Sequence, residues 1–205
     1  MRSQDWLARQ KKDVYSRKAQ EQGYASRASF KLLQMQQRDH FIKPGMCVID
    51  LGAAPGGWSQ VLVDIIGNRG KVVALDKLPM RGIAGVDFIQ GDFTETYILK
   101  VLENHLATQK INRFDLVLSD IAPNISGISL VDQCESIYLA ELALDFCLDY
   151  LKKDGNFLVK VFEGSELFAY KQNLQKHFTE IRIRKPEASR SGSKELYLLA
   201  CSKRN

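Results

Sequence analysis

The chain has 205 residues and a net charge of +5, and 45% of its residues are hydrophobic while 26% are charged. This length suits one domain, or two small ones at most, and the composition is ordinary for a globular protein in water. No apolar run approaches the roughly 20 residues that span a bilayer. The N-terminal MRSQDWLARQKKD also lacks the apolar core of a signal peptide. We therefore expect a cytoplasmic protein with no membrane contact.

Helices and strands are predicted to alternate along the chain. In chain order they are a helix at 26–41, a strand at 46–52, a helix at 58–67, strands at 71–76 and 86–92, a helix at 94–106, a strand at 114–120, a helix at 130–152, a strand at 155–164, a helix at 166–178, and strands at 180–186 and 195–202. Ser26 is a candidate N-cap and Gly67 a candidate C-cap.

This alternation predicts an α/β fold with a mostly parallel sheet, because strands buried on both faces read as continuous apolar runs. The link at 188–193 is too short for a crossover helix, so the final strand should be antiparallel to its neighbours. We expect a single domain over 26–205. We expect the basic N-terminal segment, residues 1–25, to contribute less to the core.

Charge is unevenly distributed along the chain. Residues 1–31 hold eight Lys or Arg against three acids, residues 171–205 hold nine against three, and the middle is acidic. Two basic ends favour a polyanionic partner, most simply nucleic acid. Tyr15 and Tyr24 could stack on unpaired bases or belong to the core. The candidate phosphate contacts are Arg9, Lys11, Lys12, Arg17, Lys18, Arg27, Arg182, Arg184, Lys185, Arg190 and Lys194.

Small and acidic residues follow the predicted strands, where ligands bind in an open α/β sheet. The stretch DLGAAPGGWSQ (50–60) places Gly52 and Gly56 in a turn after the first strand. Asp76 ends the second strand, at the distance from the turn that suits a bond to ribose hydroxyls. Asp92 and Asp120 end the third and fourth strands. Together these residues indicate a cofactor that contains a nucleoside.

The glycine spacing disfavours a pyrophosphate cofactor. It does not fit G-x-G-x-x-G, and the chain has no G-x-x-x-x-G-K-[ST]. An adenosine without phosphates fits better, so a nicotinamide-linked oxidoreductase is disfavoured. We predict no metal site, because the cysteines form no C-x-x-C pair and the histidines are isolated. The four cysteines, which lie among apolar residues, are predicted to be buried reduced thiols: Cys47, Cys134, Cys147 and Cys201.

A lysine interrupts the otherwise apolar strand GNFLVKVFEG (155–164). Burying Lys160 charged and without a partner would be costly. Taken alone, it could extend its amine to the surface. Its place near the carboxyl end of a strand also suits a ligand site.

Three motifs resemble those of the FtsJ/RrmJ family of S-adenosylmethionine-dependent RNA ribose 2′-O-methyltransferases: DLGAAPGGWSQ (50–60), SDIAPNISG (119–127) and VKVFEG (159–164). The resemblance extends from YASRASFKL (24–32) to SRSGSKELYLLA (189–200). It implies a Rossmann-like class I methyltransferase fold of seven strands with helices on both faces. It also implies S-adenosyl-L-methionine as cofactor and ribosomal RNA in the large ribosomal subunit as partner.

The resemblance also implies a catalytic Lys-Asp-Lys-Glu set. Matching motif by motif, these residues are Lys31 in SFKL, Asp120 in SDIAPN, Lys160 in VKVF and Glu195 in SKELY. The implied cofactor contacts are Gly56, Trp58, Asp76 on the ribose, Asp92 on the adenine amino group, and Asp120. On residue type alone, Trp58 could equally be core packing.

Two roles for Lys160 stay open. It either removes the proton of the attacking 2′-OH, which requires a neutral amine, or remains cationic and stabilises the developing negative charge. Asp120 and Glu195 would orient the two lysines, while Lys31 would position the ribose or a phosphate.

In its length, with no appended domain, the chain most resembles the bacterial enzyme that methylates a uridine ribose in the 23S A-loop of the assembled large subunit. The alternatives are a methyltransferase for tRNA anticodon loops and a ribosome-assembly factor that acts mainly by binding. We expect a monomer.

Overall fold

A computed structural model describes residues 13–190 and 192–205. The helices are α1 (Val14–Glu21), α2 (Ala28–Asp39), α3 (Gly57–Ile66), α4 (Thr96–Thr108), α5 (Ser129–Tyr150) and α6 (Leu167–His177). The strands are β1 (Cys47–Leu51), β2 (Lys71–Asp76), β3 (Val86–Gln90), β4 (Phe114–Ser119), β5 (Leu151–Phe162), β6 (Phe178–Arg184) and β7 (Glu195–Lys203). None of the described helices is long and apolar enough to cross a membrane.

The strands form one seven-stranded sheet in the order β3-β2-β1-β4-β5-β7-β6. The first five pair in parallel, and β7 pairs antiparallel to both β5 and β6. The predicted α/β fold with an antiparallel final strand is therefore confirmed. The order in which successive strands are added to the sheet reverses between β1 and β4, which opens a crevice at the carboxyl ends of these two parallel strands.

Helices cover both faces of the sheet. On one face, α2 and α3 pack through Leu32, Met35 and Leu62 against strand residues such as Leu158. On the other face, α4, α5 and α6 pack on the alternate strand residues, and this larger cluster includes Phe157. Because neighbouring strand residues point to opposite faces, each strand contributes to both clusters.

Most predicted boundaries lie within two residues of the observed ones, with two informative differences. Ser26 is not the N-cap of α2: that position is Arg27, and the Ser26 hydroxyl accepts from the amide of Ala28, the first residue of the helix. β5 begins at Leu151 instead of Gly155, because the chain passes directly from α5 into the strand. The predicted C-cap Gly67 is confirmed, and its amide donates to Val63 O.

The described part of the basic N-terminal segment is attached to the domain. The Asp13 carboxylate caps α1 by accepting from the Tyr15 and Ser16 amides. The Tyr15 ring lies 5.6 Å from the Phe30 ring on α2, and Ala19 is buried. Helix α1 therefore packs on the element that carries Lys31.

Candidate active site

Two lysine–carboxylate pairs lie together at the carboxyl ends of β4 and β5. Lys160 Nζ lies 3.2 Å from Asp120 Oδ1 and donates to the Asp120 carbonyl at 2.6 Å. Lys31 Nζ lies 2.5 Å from Glu195 Oε1, so these two side chains form a close ion pair. The Lys160 side chain is only 7% exposed, and Asp120 supplies the opposite charge that a buried ammonium group requires.

The register of β5 and β7 explains how distant residues meet here. Lys160 lies directly opposite Tyr197 in this antiparallel pair. Glu195 precedes Tyr197 by two residues, so both side chains point to the same face of the sheet. That face carries α2, whose buried Lys31 extends to Glu195. The structure thus brings together all four residues of the predicted set.

Tyr197 joins this group, although the sequence did not single it out. Its hydroxyl donates to Asp120 Oδ1 at 2.8 Å, so Asp120 contacts both Lys160 and Tyr197. Burial, together with the charge of Asp120, raises the pKa of Tyr197 well above its usual value, so the phenol stays protonated. Lys31 Nζ lies 5.8 Å from the centre of the Tyr197 ring. The sequence feature that points to Tyr197 is its position two residues after Glu195, which places both side chains on the same face of the strand.

Beside these pairs, a cavity of about 590 Å³ opens at the ends of β1 to β4. Its charged lining residues are Asp76, Lys77, Asp92 and Asp120. Gly52 also lines it, with a φ of +75° that an L side chain would rarely adopt, and a Cβ there would lie 2.7 Å from Ile121 Cγ1. The cavity therefore contacts four of the six predicted cofactor residues.

The Asp76 and Asp92 carboxylates are held by their surroundings. Asp76 accepts from the Ala54 amide with one oxygen and from the Leu78 amide with the other. Asp92 accepts from the Thr94 amide and hydroxyl. Burial acts to raise the pKa of Asp92, but the Thr94 hydrogen bonds and the Lys77 charge outweigh it and lower that pKa. Asp92 is therefore ionised and fixed in orientation.

Gly56 and Trp58 do not line the cavity. A Cβ on Gly56 would lie 2.6 Å from Ile83 Cδ1, and its φ of +108° favours glycine. Trp58 is buried between α2 and α3, where its indole N–H donates to the Ala28 carbonyl at 2.8 Å. The structure therefore explains both residues by turn geometry and packing, and their contact with a cofactor stays a prediction.

A buried carboxyl group lies on β1 below the site. Asp50 is fully buried and accepts from the Ser59 hydroxyl at 2.7 Å, while its Oδ1 has no hydrogen-bond partner among the described residues. Burial, assisted by the charges of Asp120 and Asp76, raises the pKa of Asp50 to about 7.

Three predicted phosphate contacts form ion pairs with a largely buried carboxylate. Arg27 pairs with Asp13 and donates to the Ala188 carbonyl. Arg184 binds Asp39 through two nitrogens, and Arg182 pairs with Glu180 and Asp39.

The other predicted contacts differ in their surroundings. Arg17 forms an exposed pair with Glu21. The Tyr24 ring, like that of Tyr15, packs against Phe30. Arg9, Lys11 and Lys12 lie outside the described residues.

The described residues hold no cluster of three or more His, Cys, Asp or Glu side chains that could bind a metal ion. The prediction that every cysteine is buried is wrong for Cys134, which is exposed on α5. Cys147 is buried, and Cys47 and Cys201 are half-buried. The predicted helix surrounding Cys134 is present, but this position faces solvent near the helix start.

A seven-stranded, mostly parallel sheet with an antiparallel final strand and an acidic cavity at its switch point defines a Rossmann-like methyltransferase. Residues 24–203 match the FtsJ-like methyltransferase family, and the chain belongs to this family. The resemblance inferred from the three motifs is thereby confirmed.

Individual relatives agree with this assignment. The chain is 52% identical to the ribosomal RNA large subunit methyltransferase E of Alkalilimnicola ehrlichii, over 97% of this chain and 93% of that protein. It is 49% identical to the protein of the same name from Azoarcus sp., over 96% and 95%. Among solved structures, a putative ribosomal RNA methyltransferase from Plasmodium falciparum superposes with a TM-score of 0.79 at 29% identity, covering 88% of this chain and 98% of that one.

Proposed function

We propose that this protein transfers a methyl group from S-adenosyl-L-methionine to the ribose 2′-OH of a uridine in 23S ribosomal RNA, in the A-loop of the assembled large subunit. The observation that carries the proposal is the paired site, in which Lys160 and Tyr197 both contact Asp120 beside the Lys31–Glu195 pair. The relatives at about 50% identity bear the name of a large-subunit ribosomal RNA methyltransferase, which supports this substrate class.

The charge of the cavity supports the cofactor. Three carboxylates line it against one lysine, Lys77, so it would repel a pyrophosphate and attract a cation. Asp76 would accept from ribose hydroxyls and Asp92 from the adenine amino group. The bound cofactor would supply a methyl group on a positively charged sulfur. Asp120 lines the cavity and also contacts Lys160, so it connects the cofactor region to the acceptor region.

The protein's own residues would act on the acceptor nucleotide. Lys160 would bind the 2′-oxygen and either take its proton or stabilise the charge that develops as the proton leaves. Asp120 holds Lys160 in place, and Tyr197 holds Asp120. Lys31, fixed by Glu195, would position the ribose or an adjacent phosphate. Such alignment of oxygen and methyl group can contribute much of the acceleration.

The test is to map 2′-O-methylation across ribosomal and transfer RNA in cells that contain or lack the protein. The proposal predicts loss of one 23S uridine modification, restored by the wild-type protein and not by Lys160→Ala. Loss of a modification in transfer RNA instead would indicate the anticodon-loop alternative. Full recovery of ribosome assembly by Lys160→Ala, without methylation, would favour an assembly factor that acts by binding.

A further inference from the structure

A second cavity, of about 330 Å³, lies between α2 and the turn that follows β6. Its polar and charged lining residues are Gln34, Gln37, Arg38, Arg184, Lys185 and Glu187. It is separate from the acidic cavity, shares no lining residue with it and has the opposite charge character. We propose that this groove binds the phosphodiester backbone of the substrate RNA beside the target nucleotide. The proposal rests on the proposed function.

The groove lies along the same helix face as Lys31. Lys31, Gln34 and Arg38 are spaced by three and four residues, so they line up along one side of α2. Seven residues of helix advance about 10 Å. A stacked nucleic-acid strand carries one phosphate every ~3.4 Å, so the groove lies about three nucleotides from Lys31. A strand that presents its ribose to Lys160 and Lys31 can therefore continue into it.

The wall of the groove is held in place before any ligand binds. Gln34 accepts from the Ala188 amide at 3.0 Å, and Arg27 donates to the Ala188 carbonyl, so the turn is fixed to α2 and its N-terminal flank. Arg184, which also lines the groove, forms a bidentate contact with Asp39. These contacts shape the groove and direct the Nε and Nη2 atoms of Arg184 to Asp39.

Two cations in the groove are available for a ligand. Arg38 and Lys185 are exposed, and neither forms an ion pair with a residue in the described ranges 13–190 and 192–205. Gln37 is exposed and can donate from its amide. Glu187 is the opposing group, an exposed acid on the same rim. It would repel a phosphate. Removing the charge of Glu187 should therefore strengthen RNA binding, whereas removing the charges of Arg38 and Lys185 should weaken it.

The experiment measures binding of a labelled single-stranded RNA oligonucleotide over a series of salt concentrations. The double variant Arg38→Gln/Lys185→Gln should bind more weakly, and the slope of log affinity against log salt should fall in magnitude by about 1.4, or ~0.7 per lost contact. Glu187→Gln should bind more tightly, because like-charge repulsion is removed. A matched control, Arg69→Gln/Lys110→Gln, changes the same residue types in exposed loops that precede β2 and β4, and it should keep the wild-type slope.

A double variant whose slope matches that of the control pair would overturn the groove proposal, as would a Glu187→Gln protein that binds no more tightly than wild type. Calorimetric titration with S-adenosylmethionine should give unchanged affinity for both groove variants, which shows that they are folded. Absence of methyl transfer to ribosomal RNA by the wild-type protein would instead contradict the proposed function, since the salt series measures binding without chemistry.

Discussion

Lys160 and Tyr197 face each other across the antiparallel pair of β5 and β7, and both contact the carboxylate of Asp120. A single carboxylate thereby fixes a lysine from one strand and a phenol from another. Asp120 also lines the acidic cavity, so its orientation matters to both halves of the site. Removing the hydroxyl of Tyr197 should consequently slow methyl transfer, although every predicted catalytic residue is retained.

Tyr197→Phe should slow methyl transfer about 10-fold to 150-fold, because a hydrogen bond to a charged group contributes about 1.5–3 kcal/mol. Single-turnover transfer measures this rate. The control is Tyr170→Phe, which removes an equally buried hydroxyl that donates to the Ala140 carbonyl on the other face of the sheet. Equal rates for the two variants would contradict a positioning role for Tyr197.

The Lys31–Glu195 pair should be strongly coupled, because both side chains are nearly buried, at 11% and 14% exposure. A double-mutant cycle with Lys31→Ala and Glu195→Ala should give a coupling of about 1–3 kcal/mol in the free energy of unfolding. Urea denaturation measures it. The exposed Lys152–Asp115 pair should give only about 0.2–1 kcal/mol. A Lys31–Glu195 coupling no larger than this would show that the pair is effectively solvated.

Asp76→Asn should weaken S-adenosylmethionine binding at least about tenfold, or 1.4 kcal/mol. Both Asp76 oxygens accept backbone N–H groups, whereas asparagine has one oxygen and would place an NH₂ against one of these donors. Calorimetry measures the affinity. Asp87→Asn on β3, which contacts His105 and lies outside the cavity lining, should bind normally. Wild-type affinity of Asp76→Asn would remove Asp76 from the cofactor site.

Asp50→Asn should stabilise the protein at high pH but not at low pH. The folded pKa of Asp50 is raised to about 7, so the folded state binds more protons than the unfolded state between its ordinary pKa and 7. Wild-type stability should therefore fall as pH rises through this window, whereas asparagine carries no such penalty.

The stability difference between variant and wild type should grow by about 3 kcal/mol from pH 5 to pH 8, at 1.36 kcal/mol per pH unit up to 7. Urea denaturation at each pH measures it. Asp64→Asn, at an exposed position on α3, serves as the control. A difference that stays constant with pH would mean that Asp50 is ionised throughout.

The sheet and the polar strand ends could be predicted because they depend on local pattern. One apolar run predicts β2 at its observed bounds, and the predicted strand ends place Asp76, Asp92 and Asp120 where they line the cavity. Tyr197 was missed because a tyrosine in an apolar strand reads as core. Its role depends on pairing with Lys160, a residue 37 positions away, and such register is a tertiary property.

The basic residues show the same limit. Arg182 and Arg184 read as phosphate contacts, but both pair with Asp39, from a segment more than 140 residues earlier. Arg38, which no pattern singled out, lies in the second cavity. Charge counts along a chain therefore predict an overall preference for anions but not which cations remain available once partners from distant segments have paired.

The position of β7 also determines when the site can form. β7 lies between β5 and β6, and β6 pairs with no other strand within the described residues. As the chain leaves the ribosome, β6 is made before the strand that joins it to the sheet, and Lys160 before its opposite neighbour. Among the described strands, β6 therefore joins the sheet only through β7, and pairing β7 with β5 requires closure of the segment that holds α6 and β6. Catalytic competence should appear only at this final folding step, so a chain stopped before β7 would lack Glu195 and Tyr197 however well its first five strands had folded.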